Sequence, residues 1–377
     1  MPYWRLSNFY FFYFASLGAL LPYWNPYLKS LGFSSFEIGL LMAIVMGTKI
    51  VAPNIWGWIA DHTGKRMLII RLASLLSAVC FTGVFFDSGF YWLVIVMTAF
   101  SFFWNASLPQ FEATTMNHLG LDTTGYNSIR SWGSIGFIVA AIGLGWIVEG
   151  TNLGWVPVAI CSLFVMIWLS SLIVPEHETG HMHVEKEPLR KVLRRPEVVA
   201  LLLSCLLVQA SHGAYYTFFS IYLEEYSYSS STIGQLWALG VIAEIALFVF
   251  MFKLMPRFGP RKLLIAALLL TTLRWIMVAQ LADSFIWIVI SQLLHAASFG
   301  IVHAVAIHLI HQYFTGKHQG RGQALYSSMS FGVGGALGSF LAGLFWQDLG
   351  GQMVFMISAG FSLLALFVAF IGVRERY

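Results

Sequence analysis

Residues 27–43 read YLKSLGFSSFEIGLLMA, and residues 222–238 read YLEEYSYSSSTIGQLWA. Set one on the other at an offset of 195, Tyr27 falls on Tyr222, Leu28 on Leu223, Ser34 and Ser35 on Ser229 and Ser230, Gly39 on Gly234 and Ala43 on Ala238. The same offset carries Gly64 onto Gly259 and Arg66 onto Arg261. A register held without a gap over nearly forty residues marks the duplication of one folding unit.

The composition says what kind of unit is repeated. Of the 377 residues, 10% are charged and 58% hydrophobic, with 16% aromatic. Soluble domains carry roughly 25% charged residues. So few charges cannot cover so much apolar surface in water. Nucleic-acid binders, disordered chains and nearly all soluble enzymes are thereby excluded, and a protein crossing the membrane many times is expected. Apolar runs fall at roughly 4–28, 34–59, 67–86, 90–116, 126–148, 155–174, 197–223, 230–254, 262–282, 284–312, 322–347 and 352–373. In lipid such runs must be helices, because each backbone polar group needs a partner within the segment. Twelve spans of about 20 residues leave connections averaging about ten, with no room for a soluble catalytic domain. Cys80, Cys161 and Cys205 lie in apolar runs and read as packing residues.

Lysine and arginine set the expected orientation. With a cytoplasmic N-terminus, 17 of the 21 basic residues lie in cytoplasmic segments or the turns beside them; only Lys29 lies outside, and Lys49, Arg130 and Arg274 lie within spans. The turns on the other side carry acids such as Glu37, Glu149 and Asp283. The longest polar stretch, 175–196 (PEHETGHMHVEKEPLRKVLRRP), separates spans 6 and 7 and reads as a solvated linker. The expected organisation is a six-helix bundle over 1–174, the linker 175–196 and a second bundle over 197–377. His177, His181 and His183 in the linker lack the second shell of a metal site.

Between spans 2 and 3 stands GWIADHTGKR, residues 57–66. Gly57 permits close helix contact, Asp61 can cap a helix and pair with a cation, Gly64 makes a tight turn, and Lys65 and Arg66 hold the basic side. The string resembles the loop signature of the major facilitator superfamily, with His62 where a base is usual. Two six-span halves are also that superfamily's architecture. The resemblance implies an all-α membrane protein of twelve helices in two pseudo-symmetric bundles, whose substrate sits near the midplane and gains alternating access as the halves rock.

Ionisable residues inside the membrane mark cavities or partners, since each costs about 2.5–3.5 kcal/mol on insertion scales. Lys49, His212, Glu244, Arg274 and His295 each lie about 11–15 residues into a span; Glu112, Arg130 and His303 lie nearer the cytoplasmic side. Lys49 and Glu244 differ by 195 and have opposite sign. Such charges suit ion pairs that switch between states, or fixed structural pairs.

The layout resembles the lactose permease branch. Pro109 and Glu112 match its P-x-x-E, Arg130 its sugar-pairing arginine, and Arg274 with His295 its coupling pair. Ser298 stands where that branch has a coupling carboxylate, and Val241 where it has a span 8 glutamate, the carboxylate coming one turn later as Glu244. The strings Gln209–Tyr216, Trp237–Glu244 and Leu294–Ala304 resemble the phenylpropionate transporter subfamily more closely. That resemblance implies an aromatic carboxylate as substrate.

In chemical terms, Arg130 can bind a carboxylate with two parallel bonds, with Lys49 or Arg274 as a second cation. Trp24, Trp104, Trp132, Tyr215 and Tyr216 can supply an aromatic wall, though each taken singly reads first as a core or lipid-facing residue. Glu112, Asn25, Asn105 and Gln209 can orient a ligand; the amides serve equally well as helix–helix bonds. For a coupled proton, His295 and Glu244 are the first candidates and His212 and His303 the next. Gly332, Gly334, Gly335, Gly338 and Gly343 form a small-residue face expected to pack on span 2. The expected function is proton symport of a small organic solute in the bacterial inner membrane. The chain is expected to act as a monomer with both termini cytoplasmic, no cofactor beyond the proton, and no nucleic-acid partner. An oligosaccharide, a nucleoside or drug export on the same fold remains an alternative. An embedded enzyme would need a constellation such as H-E-x-x-H, and none is found.

Overall fold

The computed structural model describes residues 2–120, 125–176, 192–314 and 319–375. His177, His181 and His183, with most of the linker, lie outside the described residues. Within the described residues the chain is helical and has no strand. The first repeat begins with α1 (Tyr3–Ser30), α2 (Ser35–Thr63) and α3 (Arg66–Phe81), followed by α4 (Phe90–Leu119), α5 (Tyr126–Gly150) and α6 (Trp155–Leu172). The second contains α7 (Pro196–Ser211), α8 (Gly213–Glu225), α9 (Ser230–Phe258), α10 (Pro260–Gln280), α11 (Phe285–Leu293), α12 (Val302–Tyr313), α13 (Gln319–Ser327) and α14 (Gly335–Gly372).

The 195-residue offset is written into the backbone. α2 and α9 are both 29 residues long and begin and end 195 apart. Ser34 opens α2 with a capping box: its Oγ accepts from the Glu37 amide at 3.3 Å, and Glu37 accepts from the Ser34 amide at 2.8 Å. At the matching position Ser229 Oγ accepts from the Thr232 amide at 3.3 Å. The two helices end on Gly64 (φ +68°) and Gly259 (φ +77°), left-handed positions that glycine takes without steric cost. The preceding turns carry left-handed Gly32 and Ser227, again 195 apart, and so are the starts of α4 and α11.

Among the described residues ten helical segments are long and apolar enough to cross a membrane. One of them, Gly320–Gly372, holds the last two expected spans, which meet at the non-helical Gly350 (φ +76°). α1, 28 residues with Pro22 and Pro26 inside, supplies the first. Among the described residues four spans depart from plain helices, span 3 by a 3-10 turn over Thr82–Phe85 at its end. Span 7 breaks at His212 between α7 and α8. Wide π-helical turns occupy Ala296–Ile301 between α11 and α12 and Ser328–Gly334 before α14. π-Turns often mark functional sites.

The described residues form two compact units: one up to residue 176 together with Leu223–Ala238, the other from residue 192 to Tyr222 together with those from Leu239 onward. In unit one, α1 crosses α5 at contact distance. A Cβ on Gly18 would meet the Phe137 carbonyl oxygen at 2.4 Å, and one on Gly136 the Phe11 carbonyl oxygen at 2.1 Å. This is how small residues let helices pack in lipid, where dispersion replaces the hydrophobic effect. In unit two the same device serves α7 and α14: a Cβ on Gly338 would meet the Ala210 carbonyl oxygen at 2.1 Å, and one on Gly334 that of Leu206 at 2.5 Å. The glycine face of span 11 therefore closes on span 7 within its unit. Span 7 is the most enclosed of the ten, while α9 presents Phe248, Phe250 and Phe252 outward, as a lipid-facing helix does.

Candidate functional site

In unit two, four of the five intramembrane ionisable residues named there converge. Arg274 on α10 is fully enclosed. Its Nε donates to the Ser291 carbonyl oxygen at 2.9 Å; its Nη1 donates to Ser298 Oγ at 2.8 Å and lies 3.1 Å from His295 Nδ1. The guanidinium carbon also lies 4.4 Å from the ring centroids of both Tyr215 and Trp275. Backbone, imidazole, hydroxyl and two aromatic faces together offset the cost of burying this cation.

Arginine only donates, so His295 Nδ1 must accept from it and the ring hydrogen sits on Nε2. That Nε2 faces Glu244 Oε2 at 3.9 Å. His295 thus stands between a cation and a carboxylate as a neutral bridge. His212 is fixed the opposite way: its Nδ1 donates to the Val208 carbonyl oxygen at 2.7 Å, leaving Nε2 to face Ser298 Oγ at 3.4 Å. Tyr215 donates to Gln292 Oε1 at 2.8 Å, and Tyr216 lies beside His212. With both imidazoles neutral, Arg274 and Glu244 cancel. One added proton makes the cluster cationic.

His303 lies two turns further along the same span. His295, Phe299 and His303 stack in a row, with ring centroids 5.6 and 5.9 Å apart. His303 Nδ1 is 2.9 Å from the Tyr326 hydroxyl.

Unit one holds the other candidates. Arg130 on α5 sets its guanidinium 3.8 Å from the Phe14 ring centroid and 5.8 Å from that of Tyr10. Gly133, one turn on, leaves the room for this: a Cβ there would meet Phe14 at 2.6 Å and Arg130 Nη1 at 2.9 Å. Among the described residues Arg130 makes no hydrogen bond or ion pair, and neither do Glu112 on α4 or Lys49 on α2. The Glu112–Arg130 pairing thus does not close to an ion pair here. Asn105 donates its amide to the Val45 carbonyl oxygen at 3.0 Å and to Thr48 Oγ1 at 2.8 Å, so its nitrogen bonds α4 to α2. Trp132 donates to the Tyr3 hydroxyl at 3.1 Å, among Tyr3 and Trp4 at the start of α1. Asn25 is buried on α1 after Pro22.

In the turn after α2, Arg66 pairs with Asp61 at 2.7 Å, Gly64 takes the left-handed turn, and Gly57 faces Gln110 Nε2 at 3.2 Å from a built Cβ. Lys65 precedes α3. Several partners escaped the sequence reading. Glu176, just beyond α6, accepts from the Met67 amide at 3.0 Å; Glu375, just beyond α14, accepts from the Arg261 amide at 2.9 Å. Both acids cap the N-terminus of the third span of their repeat, where a negative charge is favoured. Their signal was present: each follows the last span of its half. Ser291, Gln292 and Trp275 carry no charge and offered no signal.

The sequence matches the MFS_1 like family over residues 3–357. It is 30% identical over 373 residues to the "Probable 3-phenylpropionic acid transporter" of Escherichia coli (strain K12), covering 95% of each chain. It is 25% identical over 375 residues to the maltose permease of Geobacillus stearothermophilus, covering 98% of this chain and 94% of that one. Among solved structures, the nucleoside transporter NupG superposes with a TM-score of 0.82 over the whole of both chains at 16% identity, a likeness of fold. With its duplicated halves and its turn motif, the chain belongs to the MFS_1-like family of the major facilitator superfamily and is a membrane transporter, not an enzyme.

Proposed function

We propose that the protein is a secondary active symporter that carries a small aromatic carboxylate, 3-phenylpropionate or a near analogue, together with a proton by alternating access. It works as a monomer in the bacterial inner membrane, with the Gly64 and Gly259 turns and both termini on the cytoplasmic side. The observation that carries the substrate reading is Arg130: one face is stacked on Phe14 while its N–H edges have no hydrogen bond among the described residues. A guanidinium held flat with its fork unused is prepared for a carboxylate. Lys49 is a second uncommitted cation, and Tyr10, Tyr13 and Phe14 give the apolar end of an aryl-propionate a wall of like character. Arg274, by contrast, commits its Nε and Nη1 donors within its own unit.

Coupling is assigned to the Arg274–His295–Glu244–His212 cluster. Neutral when deprotonated, it gains one positive charge with one proton, and a cationic cluster favours the anionic substrate. Proton and carboxylate then cross together as a neutral sum. The three titrating groups, His212, Glu244 and His295, behave as one unit beside the fixed charge of Arg274.

Glu112 supports a second reading. Its carboxylate also lacks a hydrogen bond among the described residues and would suit the hydroxyls of a sugar or nucleoside. Uptake of labelled 3-phenylpropionate into vesicles, challenged with excess unlabelled 3-phenylpropionate, maltose or uridine, separates the two. Displacement by 3-phenylpropionate alone is expected. Absence of uptake, or displacement by maltose or uridine, refutes the carboxylate assignment.

A further inference from the structure

Between the Arg274 cluster and the far end of α12, unit two encloses a small cavity. Its walls include Gln209 of α7, Ser298 and Phe299 of one wide turn, His303 of α12, Tyr326 of α13 and Phe331 of the other wide turn. Its volume of about 10 Å³ is the least that admits one water molecule. Cys205, Val208 and Val302 complete a largely apolar lining, and two observations place polar groups on it. Gln209 is 6% exposed, and its Oε1 is buried with no hydrogen-bond partner. Buried amide oxygens are rarely left so. Ser298, on the opposite wall, belongs to the Arg274 cluster, accepting from Arg274 and facing His212 Nε2.

We propose that this cavity holds one water, bound by Gln209, and that through it His303 exchanges protons with the Arg274 cluster. For loading, an imidazolium at His303 gives its proton to the water. The water gives one to Ser298 Oγ, and Ser298 gives its own to His212 Nε2. His303 ends neutral, His212 ends as the imidazolium, and the water and the serine are unchanged. Release is the reverse. The tautomer of His212 suits this, since its Nδ1 is already committed to Val208 and only Nε2 can accept. Arg274 and His295 face His212 from α10 and the start of the wide turn, and Glu244 faces His295 from α9. Cys205, Tyr215, Tyr216 and Tyr326 are the other titratable groups along the path. Arg274 opposes a charge resting on His212 and Glu244 offsets it, so the cluster as a whole holds the proton. Beyond His303, His308 and Gln312 bond to each other at 3.1 Å and continue the polar steps toward the end of α12.

The inference rests on the proton-symport reading, and the test keeps the two apart. Wild type, His303→Gln and Gln209→Leu are reconstituted in proteoliposomes with labelled 3-phenylpropionate. Counterflow at equal pH needs no net proton movement; accumulation under an inside-alkaline gradient does. Glutamine at 303 can still bond Tyr326 but relays no proton, and leucine at 209 keeps volume but cannot hold a water. The ratio of accumulation to counterflow is expected to fall about tenfold or more in both variants. Unchanged ratios in both overturn the relay alone. A wild type that counterflows but never accumulates overturns the symport reading and the relay with it. An experimental structure that resolves ordered water gives an arm free of substrate. Density in reach of Gln209 Oε1, lost in Gln209→Leu, supports the site, and a dry cavity overturns it.

Discussion

Arg130→Lys keeps the positive charge of the proposed carboxylate site and removes only its shape. The guanidinium carbon lies 3.8 Å from the Phe14 ring centroid, and a cation over an aromatic face contributes about 0.5–2 kcal/mol. An ammonium also replaces a planar fork by a point donor, giving up one charge-assisted hydrogen bond worth about 1.5–3 kcal/mol. Together these amount to about 2–5 kcal/mol, at least roughly 30-fold in dissociation constant. Phe14→Leu removes the stacking alone and is expected to cost roughly 2- to 30-fold. The assay is isothermal titration of purified protein with 3-phenylpropionate, each variant first checked for an unchanged melting temperature. Affinity within about twofold of wild type for Arg130→Lys would refute the assignment.

Other perturbations follow from the same geometry. Arg274→Ala leaves half-buried Glu244 without its cation and is expected to cost up to about 3 kcal/mol of stability; adding Glu244→Gln should restore part of the melting temperature. Gly338→Leu drives side-chain atoms into the Ala210 carbonyl oxygen and should destabilise by about 1–3 kcal/mol. Gly143→Ala, with nothing within 4 Å of its Cβ, should leave the melting temperature unchanged. Glu176→Gln and Glu375→Gln each weaken the charge at a helix N-terminus, by about 0.3–1 kcal/mol. They should add when combined, a sum that thermal melts of both singles and the double can check.

The fold was legible because turn chemistry and apolar length are local. Ser34, Gly64 and their copies at 229 and 259 fix where α2 and α9 start and stop. Ser227 was not readable as a left-handed residue, since serine carries no such preference; only its register with Gly32 gives it away. The break at His212 and the two wide turns were hidden for a different reason. They depend on how α7, α12 and α14 pack, which no window of sequence contains.

The site was half legible. Arg274, His295, Glu244 and His212 stood out because charge in lipid is costly, and they meet in unit two. Ser298, noticed only as a missing carboxylate, turns out to hold Arg274 and face His212. The resemblance to the permease branch pairs Glu112 with Arg130, but a resemblance sets no distance, and among the described residues they form no ion pair. Asn105 could serve a ligand or a neighbouring helix; its amide nitrogen takes the second role.

The central claim is that a proton carried by the Arg274–His295–Glu244–His212 cluster crosses together with the carboxylate. Its most direct measurement is the initial rate of proton entry into proteoliposomes, followed with an internal pH dye, when 3-phenylpropionate is added outside at zero imposed gradient. The account predicts an immediate internal acidification that tracks substrate uptake in wild type and is lost in Glu244→Gln while counterflow persists. Substrate entry with no change of internal pH would contradict it.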